Sequence, residues 1–444
     1  MPPSSRPWSD ASCFRFVRHS YNPDTGEAQL VYALDDGPEL VETLHFPGAP
    51  APEAAESRRA LGKALELLHL VAGVSYYKTA IPPAMDVDAE DSLAGFLERL
   101  YVEGLAEFAH HNQVELQGRV AFGAAAAEPV PAPRLGLPER ALVAMGGGKD
   151  SLVSLECLRE AGLEIQPVCV GDSELIEATV QAAGMSLLRI RRRLAPDLAA
   201  MNEAGALNGH VPVTAINSAI LLCAAVLYGY RYVVFSNERS ADEATLTDAR
   251  GRPVNHQYSK SLAFERSLRQ QVHKRIAVDL EYFSLLRPLE EVTVAERFSG
   301  LHEYHHVFSS CNRNFHLDGK RIAGRWCGDC PKCRFTTLAL APWLSPAHLE
   351  SFMGRILLDD PAQEAGFRAL CRLGVDKPFE CVGTVDECRA ALQSLAENPA
   401  WRDAAIARRL VPELRGHSVP GLQDLLSRRG PHCIPREILD RVDL

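Results

Sequence analysis

The amino-acid sequence, 444 residues long, predicts an α/β protein built around a doubly wound parallel sheet. Three observations support this class. Strand and helix patterns alternate between residues 140 and 343, a glycine-rich turn follows the first of these strands, and a cysteine cluster lies near the end. We therefore expect an N-terminal α+β region at residues 1–135, a central domain at 138–345 and a helical C-terminal region at 346–444.

The N-terminal region contains a strand pattern followed by a helix pattern. Residues 13–46 alternate between apolar and polar side chains and are interrupted by turn sequences at residues 22–26 and 35–38. This pattern predicts a three-stranded antiparallel meander. Leucines at helical spacing predict that residues 52–112 are mostly helical. Residues 123–134 are rich in alanine and proline and predict a linker.

The central domain begins with a predicted strand at residues 141–145 and a helix from Leu152 onwards. Residues 166–170 and 232–236 predict two further strands. The longest apolar stretch, residues 215–230, contains Asn217 and Ser218 and is too short to cross a bilayer, so we expect a buried helix. Beyond residue 346, leucine and alanine with periodic charge predict small helices.

The turn after the first strand of the central domain has a composition typical of phosphate binding. It consists of Gly146, Gly147, Gly148, Lys149, Asp150 and Ser151. Glycines let the backbone approach a phosphate closely, and the amides that follow point at the ligand from a helix N-terminus. The spacing fits neither the G-x-x-x-x-G-K-[ST] loop nor the G-x-G-x-x-G loop. We predict a nucleotide site of another kind, with an ordinary glycine-rich turn as the alternative.

The cysteine cluster has the spacing of a metal site. Its members are Cys311, Cys327, Cys330 and Cys333. Four thiolates at this spacing suit tetrahedral zinc, and a site closed by four cysteines is structural. A redox pair is the rival interpretation. Three histidines are alternatives to the first cysteine as fourth ligand: His305, His306 and His316.

Residues 238–265 are dense in polar side chains, and we select three as candidates for proton transfer: Glu238, His256 and Lys260. Such groups carry protons when their surroundings adjust their pKa values. A solvated loop is the alternative explanation. His210 and Asn217, at the start of the buried helix, could bind the same ligand or only cap the helix. Arginines at residues 189–193 could bind a diphosphate or form a solvated face.

Charge and composition exclude several classes of partner. The formal net charge is −10 without a long basic run, so we do not expect nucleic acid as a main partner. The first residues show no secretory signal. The twelve cysteines are dispersed apart from the cluster, which indicates reduced thiols. We therefore expect a cytoplasmic protein with no membrane partner.

The glycine-rich turn resembles the S-G-G-x-D-S loop of the PP-loop ATP pyrophosphatases. The matching residues are Gly147, Gly148, Asp150 and Ser151, whereas Gly146 stands where that family usually has serine. The resemblance implies a PP-loop fold for the central domain. It also implies that ATP is split between the α and β phosphates while a substrate oxygen is adenylated. A similar cysteine cluster closes this domain in the 7-cyano-7-deazaguanine synthases.

Over nearly its whole length, the chain resembles the MurL family of UDP-N-acetylmuramoyl-L-alanyl-L-glutamate epimerases. The resemblance rests on the glycine-rich turn, the cysteine cluster and residues 35–43, 73–78, 236–240 and 255–261. It implies an isomerase of peptidoglycan synthesis that uses ATP to invert the terminal L-glutamate of a UDP-sugar dipeptide. AMP and pyrophosphate would be released, and the partner would be this small-molecule substrate.

Under this interpretation, the glycines hold the pyrophosphate part of ATP, Asp150 helps to position Mg²⁺, and Lys149 neutralises the α-phosphate. Adenylation removes the charge of the α-carboxylate and makes the α-proton more acidic. A two-cysteine racemase mechanism is disfavoured because the clustered cysteines are assigned to zinc. Two alternatives remain: an amide- or nitrile-forming PP-loop ligase, and a nucleotide-binding regulatory protein without turnover.

Overall fold

The computed structural model describes residues 10–444 apart from residues 90, 125–129, 244–245, 248–250, 252, 315–321 and 323. Its central feature is a nine-stranded sheet. In chain order, the strands are β1 (Cys13–Asn22), β2 (Glu27–Leu34), β3 (Leu40–His45), β4 (Ala84–Asp86), β5 (Asp88–Ala89), β6 (Gly123–Ala124), β7 (Arg140–Ala144), β8 (Glu164–Val170), β9 (Leu188–Arg193), β10 (Tyr232–Phe235), β11 (Leu246–Thr247), β12 (Pro253–Val254) and β13 (Glu281–Ser284). The order in the large sheet is β13-β10-β7-β8-β9-β3-β2-β1-β4.

The α-helices divide between the N-terminal region, the central domain and the C-terminal region. They are α1 (Ala55–Ala72), α2 (Val74–Tyr77), α3 (Asp91–Glu103), α4 (Ala106–Asn112), α5 (Lys149–Glu160), α6 (Glu174–Ala182), α7 (Asp197–Glu203), α8 (Val213–Tyr228), α9 (Leu262–Gln271), α10 (Glu291–Ser299), α11 (Pro331–Leu340), α12 (Pro346–Met353), α13 (Glu364–Leu370), α14 (Val385–Ser394), α15 (Ala405–Leu410), α16 (Leu422–Ser427) and α17 (Arg436–Leu439).

The strands β13, β10, β7, β8 and β9 are all parallel, as predicted for the central domain. Alternate side chains of these strands enter two separate cores. Leu142 and Val233 face the core that contains α1 and α8, whereas Val143 and Val234 face the core that contains α5 and α10. Because both faces are covered, the central strands β7 and β10 are mainly apolar and buried, whereas β9 contains four arginines. The α/β class and the parallel sheet are therefore confirmed.

The predicted N-terminal meander is formed by β1, β2 and β3, with its two turns where the sequence indicated them. The structure adds a connection that the sequence analysis did not include. Strand β3 pairs antiparallel with β9, so the meander continues the parallel sheet and makes it mixed. The register places Leu44 opposite Arg192.

A buried ion pair fixes this connection between the two halves of the sheet. The Glu42 carboxylate is fully buried and accepts hydrogen bonds from Arg192, at 2.7 Å from Nε and 3.1 Å from Nη2. The Tyr76 hydroxyl donates to Glu42 Oε2 at 3.0 Å and accepts from the Ala195 amide at 3.0 Å. One carboxylate therefore joins β3, β9 and α2.

The predicted buried helix is α8, which packs against α1 on one face of the sheet. Its residues are apolar on all sides, as expected of a helix enclosed by protein. It ends at Gly229, whose φ of 72° is a left-handed conformation that favours glycine. Among the described residues, no helix has both the length and the apolar character needed to cross a membrane.

The C-terminal region is helical, as predicted, and completes the second core. Helices α13 and α14 pack on α11, and α16 packs on α10. Trp401 is buried in this core, and its indole Nε1 donates to the Leu344 carbonyl oxygen at 2.9 Å. The C-terminal helices therefore cover the face of the sheet opposite to the N-terminal helices.

We predict that replacing Glu42 with glutamine destabilises the protein by about 3–5 kcal/mol, because the buried Arg192 loses its counter-charge. Urea denaturation of both proteins measures the difference. The matched control is Glu39→Gln, because the Glu39–Arg18 pair is about half exposed on both sides, where water screens the charges, so its loss should change the free energy of unfolding far less. Equal effects of the two substitutions would contradict a structural role for the buried pair.

Candidate active site

The glycine-rich turn lies at the carboxyl end of β7 and leads directly into α5. Gly147 has a φ of 74°, and a Cβ there would lie 2.4 Å from Leu175 Cδ2, so only glycine fits. Gly148 is the N-cap of α5, and no side chain caps the helix through it. The first amides of α5 are therefore available to an anion.

Two other residues of the turn have different surroundings. Gly146 is exposed, and a Cβ there would meet no described atom within 4 Å. A side chain would therefore fit at this position, and the departure from serine has no steric cause. The Ser151 hydroxyl donates to the Gly148 carbonyl oxygen at 3.1 Å and so stabilises the turn.

Lys149 points into the protein. Its ammonium group is buried and donates hydrogen bonds to Asp150 Oδ1 and to Glu291 Oε1, the latter at 2.5 Å. Burial alone would lower the pKa of Lys149, but the two carboxylates outweigh burial and raise it. Burial and the neighbouring Asp150 raise the pKa of Glu291. Lys149 therefore holds the side chains of Asp150 and Glu291 together next to the glycine-rich turn.

Glu238 follows β10, whose carboxyl end lies beside that of β7. Its Oε1 accepts a hydrogen bond from the Ser240 hydroxyl at 2.8 Å, whereas its Oε2 is buried without a hydrogen-bond partner among the described residues. Burial and the negative charge of Asp150 raise the pKa of Glu238. The structure thus brings the predicted proton carrier Glu238 close to the glycine-rich turn.

Arg287, which follows β13, is buried and positions two of the predicted proton carriers. Its Nη1 donates to the Glu238 carbonyl oxygen at 2.7 Å, and its Nη2 donates to the Lys260 carbonyl oxygen. Its Nε donates to Glu265 Oε2 at 3.1 Å. A single guanidinium therefore fixes the backbone at Glu238 and Lys260 and ties both to α9.

The side chains of Lys260 and His256 meet at a cysteine that the sequence analysis did not select. Lys260 Nζ lies 3.0 Å from Cys381 Sγ, and His256 Nε2 lies 3.9 Å from the same sulfur. Burial lowers the pKa of His256 to about 4, so its imidazole is neutral at pH 7. Burial would also lower the pKa of Lys260, but Cys381 and Glu238 raise it.

Residues from the N-terminal region, the central domain and the C-terminal region surround His256. The Phe379 ring lies 6.1 Å from the His256 ring, centroid to centroid, and 5.8 Å from that of His110 on α4. His210 Nδ1 lies 3.5 Å from Glu107 Oε2, also on α4. The His210 ring lies 6.5 Å from the His256 ring, centroid to centroid, so His210 is near a candidate proton carrier and is placed where it could bind the same ligand.

The four cysteines of the cluster come together around one point. Their sulfur atoms lie within 4.8 Å of one another, with 3.9 Å between Cys311 and Cys330, 3.8 Å between Cys327 and Cys333, and 3.5 Å between Cys330 and Cys333. A tetrahedral zinc ion with bonds of about 2.3 Å requires sulfur separations of about 3.8 Å. The donor set therefore fits zinc.

The cysteine cluster adjoins the glycine-rich turn. The Ser309 amide donates to the Gly147 carbonyl oxygen at 3.0 Å, and the Ser309 hydroxyl accepts from the Cys311 amide at 3.0 Å. A Cβ on Gly148 would lie 3.1 Å from Ser310 Oγ. Residues 309–311, which lead into the cysteine cluster, therefore contact the glycine-rich turn directly.

The alternative fourth ligands are placed differently. Both ring nitrogens of His305 have partners other than the cluster cysteines. His305 Nδ1 lies 2.8 Å from His348 Nε2, and His305 Nε2 lies 3.1 Å from the Phe298 carbonyl oxygen. His302, His305 and His348 form a group of their own. His316 lies outside the described residues. In this geometry Cys311 completes the set of four.

The arginines at residues 189–193 lie on β9 and pair with carboxylates. Arg189 contacts Asp172 and Glu177, and Arg192 contacts Glu42. Arg189 and Arg192 are therefore held in ion pairs within the protein. Three cysteines of the central domain that lie outside the cysteine cluster are buried: Cys157, Cys169 and Cys223.

Sequence reasoning did not select three residues of the site: Arg287, Glu291 and Cys381. Arg287 and Glu291 occur in an ordinary mixed segment, and nothing local marks them as buried charges. For Cys381, the local sequence gives only a weak indication of a functional role. It lies between Pro378 and Gly383, outside any helix pattern, where a core cysteine is less expected.

Comparison with known proteins gives the class and the family. A family model described as the MurL N-terminal domain matches residues 6–285, and one described as the MurL C-terminal domain matches residues 307–423. A UDP-N-acetyl-alpha-D-muramoyl-L-alanyl-L-glutamate epimerase of Xanthomonas oryzae pv. oryzae is 47% identical, with 97% of each chain covered. Epimerases of the same name are 43% identical in a Micromonospora species, covering 95% of this chain and 96% of the relative, and in Salinispora tropica, covering 90% and 88%.

The relatives are epimerases, which places this α/β protein among the isomerases. At these identities over nearly complete chains, the family is established. The chain belongs to the MurL family of UDP-N-acetyl-alpha-D-muramoyl-L-alanyl-L-glutamate epimerases. The resemblance to the MurL family is thereby confirmed.

We predict that Lys149→Met destabilises the protein by about 3–5 kcal/mol, because it leaves the buried Glu291 carboxylate without its cation. The double variant Lys149→Met/Glu291→Leu should regain most of this loss, since it removes the buried charge on both sides. Urea denaturation provides the values, and Lys63→Met, which alters a partly exposed pair, is the control. If the double variant is no more stable than the single variant, the Lys149–Glu291 ion pair does not account for the loss of stability.

Proposed function

We propose that the protein is an ATP-dependent epimerase that inverts the terminal L-glutamate of UDP-N-acetylmuramoyl-L-alanyl-L-glutamate. An acyl-adenylate is the activated form, and AMP and pyrophosphate are the by-products. One observation carries the proposal: a glycine turn open to an anion stands beside the candidate proton carriers Glu238 and Lys260, both of which sense the charge of Asp150. Membership of the family named for this substrate supports it.

Binding of ATP is assigned to the turn between β7 and α5. The amides after Gly147 and Gly148 would hold the pyrophosphate part, and the PP-loop resemblance supports α–β cleavage. Asp150, in the first turn of α5, would hold Mg²⁺, which neutralises phosphate charge. The side chain of Lys149 supports this arrangement by positioning Asp150, and we assign it that role in addition to the neutralisation expected from sequence.

Activation of the carboxyl group explains why ATP is consumed. Loss of an α-proton beside a free carboxylate would place two negative charges on adjacent atoms. In the proposed reaction, the substrate carboxylate oxygen attacks the α-phosphorus, and pyrophosphate leaves. The resulting acyl-adenylate carries no charge on the former carboxylate, so its α-proton is far more acidic. Reprotonation on the opposite face and attack by water then yield the D-glutamyl product and AMP.

Proton transfer is assigned to the region where Glu238, His256 and Lys260 meet. Arg287 holds the backbone of Glu238 and Lys260 in place. A raised pKa keeps Glu238 protonated over a wider range of pH, which suits an acid. The neutral His256 imidazole suits a group that receives or relays a proton.

Structural zinc is the second metal of the proposal, held by the four cysteines that meet below the turn. We expect Cys333→Ser to lose zinc, measured by elemental analysis, because three thiolates cannot close the tetrahedral site. Cys388→Ala changes a buried cysteine outside the cluster and should keep its zinc. A Cys333→Ser protein with undiminished zinc would contradict the assignment.

The whole reaction is tested in deuterated water with ATP, Mg²⁺ and UDP-N-acetylmuramoyl-L-alanyl-L-glutamate. We expect AMP together with D-glutamate that carries deuterium at the α-carbon. Asp150→Asn should lower AMP release at least about 100-fold, since it weakens the binding of the Mg²⁺ ion that would neutralise the phosphate charge. Asp440→Asn, which alters an exposed pair on α17, is the matched control.

Two outcomes would contradict the proposal. Glutamate that remains L and unlabelled in the presence of native protein would exclude epimerisation of this substrate. AMP release by Asp150→Asn at the native rate would exclude the glycine turn as the ATP site. AMP release that requires an added amine would instead favour a ligase.

A further inference from the structure

Cys381 lies in the segment between α13 and α14, far from the cysteine cluster in sequence, and reaches the candidate proton carriers. Its sulfur is 3.0 Å from Lys260 Nζ and 3.9 Å from His256 Nε2. The sulfur is thus within hydrogen-bond distance of an ammonium group and beside a neutral imidazole. This is the arrangement of an activated thiol rather than of a core cysteine.

Contacts to three other parts of the chain hold the segment around Cys381. Lys377 Nζ lies 2.8 Å from Glu243 Oε2, and Glu380 Oε2 accepts a hydrogen bond from the side-chain amide of Asn312. The Phe379 ring packs against rings of α4 and against His256. The position of the thiol is therefore built by the N-terminal region, the central domain and the C-terminal region together.

The charged groups that act on Cys381 come from several elements. Lys260 and Lys332 are the cations, Glu380 and Glu107 are the carboxylates, and His256 is neutral. Burial would raise the pKa of the thiol, but the two lysines outweigh burial and lower it. The other cysteines outside the cluster all have raised pKa values: Cys13, Cys157, Cys169, Cys223, Cys371, Cys388 and Cys433. Cys381 alone among these eight is suited to exist as a thiolate.

We propose that Cys381 is a catalytic base of the epimerisation, with Lys260 as its counter-ion. The proposal rests on the proposed function, which supplies the acyl-adenylate as the proton donor. In this step, the Cα–H bond of the activated glutamyl residue breaks and an S–H bond forms on Cys381. The electron pair of the broken bond moves into the enolate of the acyl-adenylate.

The second half of the step returns a proton to the opposite face of the α-carbon. Glu238 supplies it, so its O–H bond breaks as the new Cα–H bond forms. The reaction leaves Cys381 protonated and Glu238 ionised, and exchange with water restores both groups. A thiol and a carboxyl group therefore divide the roles of base and acid, in place of the two thiols of a two-cysteine racemase.

The test separates activation from proton transfer. Cys381→Ser and Cys381→Ala are incubated with ATP, Mg²⁺ and the UDP-sugar dipeptide in deuterated water. We expect both variants to keep substrate-dependent exchange of labelled pyrophosphate into ATP, because adenylation does not use the thiol. Incorporation of α-deuterium should fall at least about 100-fold, the usual effect of removing a general base. Cys13→Ser, on β1 of the meander, is the control and should behave as the native protein.

The outcomes are distinguishable. If the native protein epimerises the substrate and the Cys381→Ser variant is equally active, the role of Cys381 is overturned and the proposed function stands. A native protein that produces neither AMP nor labelled glutamate would overturn the proposed function and, with it, the role of Cys381. Loss of both pyrophosphate exchange and deuterium incorporation in Cys381→Ser and Cys381→Ala would assign the thiol to activation and overturn its role as base.

A second measurement examines the thiol directly in the full chain. Iodoacetamide alkylates thiolates, so the rate at Cys381 should reach its plateau at lower pH than the rate at Cys13. Lys260→Met should shift the Cys381 profile to higher pH, whereas Lys260→Arg, which keeps the charge, should shift it less. A profile that does not respond to Lys260→Met would overturn the ion pair.

Discussion

The buried guanidinium of Arg287 is the constraint on which the rest of the site depends. A cation taken out of water must be compensated by hydrogen bonds and negative charge, or the fold loses several kcal/mol. Arg287 meets this demand with a carboxylate from α9 and with two backbone carbonyls, those of Glu238 and Lys260. None of these segments can move without leaving a buried charge unsatisfied. The two ends of the proton-transfer region are therefore held at a fixed separation by one side chain.

The flanking regions are part of the site because the sheet has two covered faces. The N-terminal helices occupy one face and bring α4, with Glu107, to the carboxyl edge of the strands. The C-terminal helices occupy the other face and deliver Phe379 and Cys381 to the same edge. The glycine turn lies between them at the end of β7. A central domain without these regions would keep the turn and lose the thiol.

Local patterns predicted a good part of this arrangement, and long-range pairing supplied the rest. The meander, the parallel strands and the glycine turn each depend on a few adjacent residues, so periodicity and composition were sufficient. The cysteine cluster was predictable because three of its members lie within seven residues. By contrast, the bond from Lys260 to Cys381 spans 121 positions, Lys149 to Glu291 spans 142, and Arg192 to Glu42 spans 150. Such contacts leave no periodic trace, and they determine which charges are buried.

Under the proposed function, a thiolate base would give the consumption of ATP a second role. A thiolate and an ionised α-carboxylate repel one another when both are buried, because charge interactions are strong where water is excluded. The unactivated substrate would therefore approach the proposed base Cys381 unfavourably. In the proposed reaction, adenylation would move the negative charge from the α-carboxyl group to the more distant phosphate, and it would lower the pKa of the α-proton towards that of the thiol. Electrostatic repulsion would therefore set the sequence of the two steps. Proton transfer would follow activation, because only the activated substrate can bring its α-carbon to the thiolate without a carboxylate charge beside it.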